Sequence, residues 1–301
     1  MKLNAKAALA ALSLTALGLT ACGSNSLGNP AGEASSSTGS SASVSVSVDQ
    51  ALADKLPQKV KDAGVITVGN DASYAPKEFL DTDGKTVIGM DVDVFNAVAA
   101  KFGVKAEYQP ADFSSIITGV QGGKYDIGIS SFTINTQRKK QVNMVSYFSA
   151  GTQWATAKGN PKAVDPENAC GKTVAVQTGT VQQEEDLPAR QAKCGSNKIN
   201  VLSFKGQDQA TAAVVNGRAD AMLADSPVAA YAVQQSAGKL ATLGDVYDAA
   251  PYGYVIPKDE TDFAAAVATA LQEIQKDGAY QAALATWGVE NGATTTFAVN
   301  P

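Results

Sequence analysis

The amino-acid sequence predicts an α/β protein made of two lobes. The chain has 301 residues, and strand-like and helix-like segments alternate from Val65 onward. The same alternation starts again at Lys172. Because each half repeats the pattern, two lobes explain the sequence better than one, and a ligand would lie in the cleft between them.

The first half of the folded region begins with a β-branched segment, VITVGND (65–71), which predicts a strand with a polar end. Asp83-Gly84 predicts a hairpin turn. The segment GMDVDVFNAVAAKFG (89–103) has apolar residues at helical spacing and a glycine at its end. The segments that follow predict a strand, a helix and a strand: VKAEYQP (104–110), FSSIITGVQGG (113–123) and KYDIGISSF (124–132).

The second half follows the same order of strands and helices. Ser226 is expected as the N-cap of one helix, with Pro227 at its first position. The predicted strands are KTVAVQTGT (172–180), INVLSF (199–204), ADAMLAD (219–225) and YGYVIP (252–257). The predicted helices are 181–195, 207–220, 226–238, 262–278 and 279–288.

Composition excludes several classes of function. The net charge of −5 argues against a nucleic-acid partner, because a phosphate binder needs a basic face. The sequence contains no histidine, which removes the commonest general base, the commonest zinc ligand and the Ser-His and Cys-His nucleophile pairs. An enzyme would therefore have to use carboxylates, Lys, Tyr or a Ser-Lys pair.

The N-terminus has the features of a targeting segment. Lys2 and Lys6 precede an apolar run (7–20) that is too short to span a bilayer as a stable helix. The run ends in LTAC (19–22), which resembles the lipobox of bacterial lipoproteins. That resemblance implies a signal peptide over 1–21 and acylation of Cys22, which would anchor the protein to the outer face of the cytoplasmic membrane. A plain secretory signal with an incidental cysteine is the alternative.

Residues 22–54 are interpreted as a lipid-anchored flexible linker, because the stretch is rich in Ser, Gly and Ala and cannot bury a core. Two cysteines remain, Cys170 and Cys194. In an oxidising compartment, an even number of cysteines besides Cys22 suggests a disulfide, and two buried thiols are the alternative.

The stretch GISSFTINTQR (128–138) is the main candidate for a binding site. It places four hydroxyl residues within seven positions after a buried-looking strand and ends in an arginine. Hydroxyls and a guanidinium can clamp a carboxylate. The alternative is that Asn135 or Thr136 caps the following helix and that Arg138 is a surface charge.

Several motifs in order resemble the extracellular solute-binding proteins of family 3, which capture polar amino acids for ABC importers. The resemblance extends from about residue 64 to residue 290 and is carried by SYAPKEFLDTDGK (73–85), GMDVDVFNAVAAKFG (89–103), GGKYDIGISSFTINTQR (122–138), YFSAG (147–151), VAVQTGT (174–180) and ADAMLADSPVAAY (219–231). It implies a periplasmic-binding-protein-like fold of type II. Lobe 1 would comprise 55–151 plus 252–301 and lobe 2 would comprise 152–251, with crossings near 149–154 and 249–254.

The resemblance also implies roles for particular residues in holding a free amino acid. Arg138 would clamp the carboxylate together with Ser131 and Thr133, and the carbonyl of Ser130 would accept from the ammonium. Thr180, at the mouth of a helix, would hold the carboxylate from the second lobe.

Asp225 would pair with the ligand ammonium, and a capping role is the alternative. Asp71 matches a position that helps to hold the side-chain charge in binders of basic amino acids. Tyr74 and Phe113 would form the walls of the pocket, with core packing as the alternative reading. Lys77 could favour an acidic or polar ligand or point to solvent, which leaves the side-chain specificity open.

The expected function is therefore capture of a polar amino acid by lobe closure and delivery to an ABC permease and its ATPase. We expect a monomer that is not an enzyme and uses no cofactor and no metal. Two alternatives stay open: a nutrient-sensing lobe for a membrane receptor, and a dehydratase-type enzyme on the same fold with Glu78 as its general acid.

Overall fold

The computed structural model describes residues 46–301. The predicted signal peptide, Cys22 and most of the predicted linker lie outside the described residues. The helices are α1 (Gln50–Ala53), α2 (Gln58–Ala63), α3 (Met90–Lys101), α4 (Phe113–Gln121), α5 (Thr136–Gln141), α6 (Leu187–Ala192), α7 (Gln207–Val215), α8 (Ser226–Gln235), α9 (Thr261–Lys276) and α10 (Ala279–Thr286). The strands are β1 (Val65–Asn70), β2 (Ser73–Tyr74), β3 (Glu78–Leu80), β4 (Val87–Ile88), β5 (Lys105–Pro110), β6 (Ile127–Gly128), β7 (Asn143–Ala157), β8 (Thr173–Gln177), β9 (Asn200–Phe204), β10 (Ala221–Asp225) and β11 (Leu240–Ile256).

A sheet of eight strands organises the described part of the chain, in the order β5-β1-β6-β11-β7-β10-β8-β9. β1 pairs in parallel with β5 and β6, and β8 pairs in parallel with β9 and β10. Each parallel group needs helical crossovers, which explains the alternation seen in the sequence. A second sheet, β2-β3-β4, contains the hairpin predicted at Asp83-Gly84, where Gly84 has φ +67°.

Two long strands join the two parallel groups. β7 and β11 pair antiparallel from Ile256↔Asn143 to Leu240↔Ala157, and β11 also pairs with β6 while β7 pairs with β10. The register between them is irregular at three places, Leu243/Tyr247, Tyr247/Ala250 and Tyr252/Gly253. The predicted crossings at 149–154 and 249–254 fall within these strands, while the assignment of residue ranges to each lobe stays a prediction.

Separate apolar cores lie on the two sides of these strands. One core packs α3 and α9 against the first parallel group and contains Val68, Phe95 and Phe263. The other contains Trp154 and Leu223 around β8 and β10. Burial of this kind is worth about 25 cal/mol per Å² of apolar surface, so each group of strands has its own source of stability.

The folded part begins earlier than the sequence suggested. Residues 50–53 of the predicted linker form α1, where the Asp49 carboxylate accepts from the backbone N–H groups of Ala51 and Leu52 at 2.8 and 3.2 Å. Leu52 is buried in the first core. The linker boundary at residue 54 is therefore corrected, because a capped helix that buries a leucine belongs to the folded domain.

The structure decides one open local alternative and corrects two local predictions. Asn135, and not Thr136, caps α5, because its side chain accepts from the Arg138 N–H at 2.9 Å. Asp225 is the N-cap of α8 and Ser226 is its first residue. The helix predicted over 181–195 divides into a π-helical turn (Gln182–Asp186) and α6.

The two remaining cysteines form a disulfide. Cys170 and Cys194 are bonded, with their Cα atoms 5.3 Å apart. The bond closes a segment of sequence separation 24 beside the second core, where Cys194 is itself a member. A covalent link of this kind restricts the unfolded chain more than the folded one.

Candidate functional site

A small cavity with about 10 Å³ of free space brings together side chains from distant parts of the sequence. Seven of the nine predicted ligand-binding residues line it: Tyr74, Phe113, Ser131, Thr133, Arg138, Thr180 and Asp225. Val181 and Gln182 complete the wall. The other two predicted residues, Asp71 and Ser130, lie behind this wall.

Arg138 enters the cavity from the first turn of α5. Its guanidinium donates from Nη1 to the Thr133 carbonyl at 2.8 Å and from Nη2 to the Gly179 carbonyl at 2.9 Å. The side chain is buried, and burial lowers the pKa of Arg138. No carboxylate of residues 46–301 lies within 4.0 Å of this guanidinium. The alternative that Arg138 is a surface charge is therefore wrong.

Asp225 stands across the cavity at the end of β10. Its carboxylate accepts from Gln182 Nε2 at 2.7 Å and from the Tyr252 hydroxyl at 2.5 Å, and its N–H donates to the Tyr74 hydroxyl at 3.1 Å. Burial raises the pKa of Asp225, and the bonds from Tyr252 and Gln182 oppose that rise. Within the described part of the chain, this carboxylate has no cation within 4.0 Å.

The cavity thus holds one buried cation and one buried anion that do not pair with each other. A buried charge without a counter-charge costs several kcal/mol. A molecule with a carboxylate at one end and an ammonium nearby would supply both missing partners. The arrangement can therefore bind a zwitterion.

The serine hydroxyls of the predicted clamp are engaged within the protein. Ser131 has φ +48°, and both its N–H and its Oγ–H donate to Asp91 Oδ2 at 3.1 Å. Ser130 Oγ donates to Glu78 Oε1 at 2.9 Å and accepts from the Asp71 N–H at 3.0 Å. These bonds fix the backbone of the loop that carries Thr133.

Asp71 connects the two sides of the cleft. Its Oδ2 accepts from the Phe113 N–H at 3.2 Å and from Gln177 Nε2 at 3.1 Å, and Oδ1 accepts from the Ser73 N–H at 3.0 Å. Gln177 ends β8, beyond the long strands, so this contact joins the first parallel group to the second. Burial raises the pKa of Asp71, and the hydrogen bonds oppose the rise.

Thr180 caps the π-helical turn at the opposite wall. Its hydroxyl donates to the Gln177 carbonyl at 2.8 Å and accepts from the Gln183 N–H at 3.3 Å.

Sequence reasoning did not identify Gln182 or Tyr252, which hold Asp225. Gln182 could have been found from its position two residues after Thr180, whereas nothing local marks Tyr252 among the aromatic residues of β11.

The aromatic residues divide into wall and core. Phe113 lines the cavity and stacks on Phe132, with ring centroids 4.6 Å apart and an interplanar angle of 21°. Phe132 is buried behind it and does not line the cavity. Lys77 does not point to solvent: it is fully buried, and its Nζ lies 3.2 Å from the centroid of the Phe148 ring.

A larger groove runs along Ser149–Gly151, Tyr231 and Trp287. Its lining contains no Asp, Glu, Lys or Arg. Such a groove cannot neutralise the two charged ends of a zwitterion, whereas the smaller cavity holds one group of each sign. The smaller cavity is therefore the candidate binding site.

Comparison with known proteins defines the class. Residues 66–290 match the family described as bacterial extracellular solute-binding proteins, family 3. The chain belongs to this family, which confirms the resemblance seen in the sequence, and it is the amino-acid-binding, substrate-binding protein of an ABC importer. The two-lobed fold of type II is confirmed by solved structures of the same class.

None of the helices within residues 46–301 is long and apolar enough to cross a membrane.

The chain is similar to particular arginine-binding and amino acid-binding proteins. The chain is 41% identical over 248 residues to the arginine-binding protein ArgT of Corynebacterium glutamicum, with 81% of each chain covered. It is similar in structure to an ancestral arginine-binding protein bound to arginine, with a TM-score of 0.70, 33% identity, and coverage of 74% of this chain and 98% of the other. An ancestral amino acid-binding protein described as a precursor of cyclohexadienyl dehydratase has a TM-score of 0.68 and 33% identity, with coverage of 76% and 97%.

Proposed function

We propose that the protein captures arginine, or an amino acid with a similar cationic side chain, in the cavity between Arg138 and Asp225. The observation that carries this proposal is the pair of buried, opposite and mutually unpaired charges in that cavity. The ligand carboxylate would bind Arg138 with the help of Ser131, Thr133 and Thr180, and its ammonium would bind Asp225 and the Ser130 carbonyl.

The preference for a cationic side chain follows from the charges around the cavity. Arg138 contributes one positive charge, and Asp71 and Asp225 contribute two negative charges, so the three together leave −1. A ligand of net charge +1 neutralises the site, and a neutral amino acid does not. Tyr74 and Phe113 offer aromatic faces on which a guanidinium can stack. The arginine-binding relatives are consistent with this choice.

Capture would proceed by closure of lobe 2 (152–251) on lobe 1 (55–151 plus 252–301). Contacts already join the two sides around the cavity: Arg138 to the Gly179 carbonyl at 2.9 Å, and Gln177 to Asp71 at 3.1 Å. A ligand held by residues of both lobes stabilises the closed form by its differential affinity for that form. The closed form would then dock on the permease through both lobes, as a monomer.

The binding proposal is tested by titration calorimetry on protein that has been unfolded and refolded to remove carried-over ligand. Arginine, ornithine, lysine, citrulline, glutamine and glutamate form the panel. We expect arginine to bind most tightly. Arg138→Ala and Asp225→Asn should each weaken binding by at least about thirtyfold, because each leaves a buried charge unpaired. Arg218→Ala, at an exposed arginine, is the matched control.

Asp71→Asn tests the side-chain preference separately. The ratio of arginine to citrulline affinity should fall by about tenfold, because Asp71 supplies a negative charge beside the cavity that attracts the guanidinium of arginine and not the uncharged side chain of citrulline. Asp83→Asn, on the exposed hairpin turn, should leave the ratio unchanged. Binding of no α-amino acid by the wild-type protein would refute the proposed function, and an unchanged ratio in Asp71→Asn would refute only the role of Asp71.

The structural similarity to a dehydratase precursor raises the question of catalysis. Glu78, the general acid that an enzyme would need, is buried behind Ser130 and does not line the cavity. We therefore propose binding without turnover. Mass spectrometry after incubation with cyclohexadienyl acids should show unchanged substrate, and the appearance of a dehydrated product would contradict this.

Membrane attachment through Cys22 is also part of the proposal. The LTAC sequence supports it, because lipid chains on a cysteine can hold a folded domain at a membrane surface. Labelling cells with a fatty-acid analogue should tag the wild-type protein and not Cys22→Ser. Equal labelling of both forms would exclude Cys22 as the acylated residue.

A further inference from the structure

A buried pair of carboxyl groups lies beneath the binding loop. Glu78 begins β3 and Asp91 is the second residue of α3, and both are essentially without solvent exposure. The two carboxyl groups are held by adjacent residues, because Ser130 donates to Glu78 and Ser131 donates to Asp91. Each has one oxygen, Glu78 Oε2 and Asp91 Oδ1, with no partner of the usual donor type among residues 46–301.

No cation of residues 46–301 contacts this pair directly. Within the described part of the chain, neither carboxyl group has a lysine or arginine nitrogen within 4.0 Å. Lys77 is the neighbouring residue, but its Nζ lies over the Phe148 ring and has no hydrogen-bond partner in residues 46–301. Two adjacent carboxylates in such surroundings cannot both stay ionised.

A single proton resolves both unsatisfied oxygens at once. We propose that Glu78 is a carboxylic acid that donates from Oε2 to Oδ1 of the Asp91 carboxylate, and that this hydrogen bond positions Ser130 and Ser131 for ligand binding. The pair then carries one negative charge. No buried carboxyl oxygen of the pair lacks a partner.

The distribution of donors decides which residue keeps the proton. Asp91 Oδ2 accepts from the Ser131 N–H, the Ser131 hydroxyl and the Tyr147 hydroxyl, and Asp91 lies in the first turn of a helix of 12 residues. Three donors and the helix dipole stabilise the anion there. Glu78 accepts from Ser130 alone. Burial first, and then Asp91, raise the pKa of Glu78 well above its usual range.

The pair acts on the ligand through the two serines, so Glu78 and Asp91 are positioning residues. Ser131, held by Asp91, keeps a left-handed backbone with φ +48°, which non-glycine residues adopt infrequently. Ser130, held by Glu78, accepts from the N–H of Asp71. The shared proton therefore links two loops of the binding site. Any effect of this link on ligand affinity rests on the proposed function.

Infrared difference spectroscopy tests the proton directly and needs no ligand. At pH 7 the wild-type protein should show the carbonyl band of a protonated carboxylic acid. Glu78→Gln should remove the band, because the amide carries no ionisable proton. Asp83→Asn, at an exposed carboxylate, should leave it in place. A wild-type spectrum identical to that of Glu78→Gln would overturn the proposal.

Arginine binding tests the positioning role. The amide of Glu78→Gln can donate to Asp91 and accept from Ser130, so its affinity should stay within about threefold of wild type, whereas Glu78→Ala should lose at least about tenfold. If Gln is as damaging as Ala, the shared proton does not position the loop. If the wild-type protein binds no arginine, the proposed function fails while the infrared result still decides the protonation of Glu78.

Discussion

Lys77 allows a test of how burial of a charge affects the free energy of unfolding, because a lysine without an anionic partner is rarely buried completely. Its side chain has no solvent exposure, and its Nζ lies 3.2 Å from the Phe148 ring centroid and 5.4 Å from that of Tyr252. Burial lowers the pKa of Lys77 from 10.5 to about 7, although the nearby carboxyl groups of Asp91 and Glu78 act in the opposite direction. The folded protein therefore holds this proton less tightly than the unfolded chain does.

The sign of the pH dependence follows from linkage. Between pH 7 and pH 10 the unfolded state binds more protons at this site than the folded state, so stability rises with pH. Each pKa unit is worth about 1.4 kcal/mol, so a pKa lowered from 10.5 to about 7 costs about 4–5 kcal/mol at and below neutral pH. Between pH 7 and pH 9 that cost shrinks by about 2 kcal/mol.

Lys77→Met is the informative substitution. Methionine is unbranched and fills a similar volume without a charge, and its gain is partly offset by losing the attraction of the ammonium to the Phe148 ring, worth about 1–2 kcal/mol. The free energy of unfolding at pH 7 should therefore increase by about 2–4 kcal/mol. Urea unfolding at pH 7, 8 and 9, with the disulfide intact, measures the difference between the two proteins.

The change of that difference with pH is the decisive quantity, because ionisations remote from Lys77 cancel between wild type and variant. The advantage of Lys77→Met should decrease by about 2 kcal/mol from pH 7 to pH 9. Lys85→Met, at an exposed turn lysine, should differ from wild type by no more than about 0.5 kcal/mol at each pH. A constant advantage across the range would show that Lys77 does not titrate there and would refute the reasoning.

Three further predictions concern closure and stability. Gly179→Ala should weaken arginine binding about tenfold, since Gly179 has φ +84° and an added Cβ would lie 2.9 Å from Ser114 Cβ across the cleft. Gly217→Ala is the control: Gly217 has φ +72°, but an added Cβ there meets nothing within 4 Å. This variant shares the backbone strain without the clash and should bind arginine normally. Replacing both Cys170 and Cys194 by serine should lower the free energy of unfolding by about 3–4 kcal/mol, measured in urea, and an unchanged value would contradict the contribution expected for a loop of this length. Lys205→Ala removes an exposed ion pair to Asp112 at 2.8 Å, and calorimetry should show an arginine affinity within about threefold of wild type.

The order of strands and helices was predictable because each depends on local periodicity. The segment 89–103 became α3 over Met90–Lys101, and VITVGND became β1 over Val65–Asn70. The lengths of β7 and β11 were not predictable, because their pairing is between residues about a hundred positions apart. The stretch 241–251 of β11 is mostly exposed or half-buried, so no alternation of buried residues marks it as a strand.

The residues of the candidate site could be predicted from the sequence, but their hydrogen-bond partners could not. Arg138 and Asp225 lie where a ligand of two charges would need them, and seven of the nine predicted residues line one cavity. The sequence assigned the cap of α8 to Ser226, but the backbone of Asp225, with ψ 146°, places that residue at the cap while its carboxylate is held by Gln182 and Tyr252. Tyr252 comes from a distant strand, so no local pattern could reveal it as a partner of Asp225.

The charge that the ligand meets also depends on tertiary contacts. The ionisable groups at and beneath the cavity include two cations, Lys77 and Arg138, and four carboxyl groups, Asp71, Glu78, Asp91 and Asp225. Counted from the sequence as ordinary charges, these six sum to −2. With the proton on Glu78, and with Lys77 in the charged form that it has below its pKa of about 7, the sum is −1, which a ligand of net charge +1 neutralises. The protonation of Glu78 and the preference for a cationic amino acid are thus two parts of one electrostatic balance, and a change in either shifts the other.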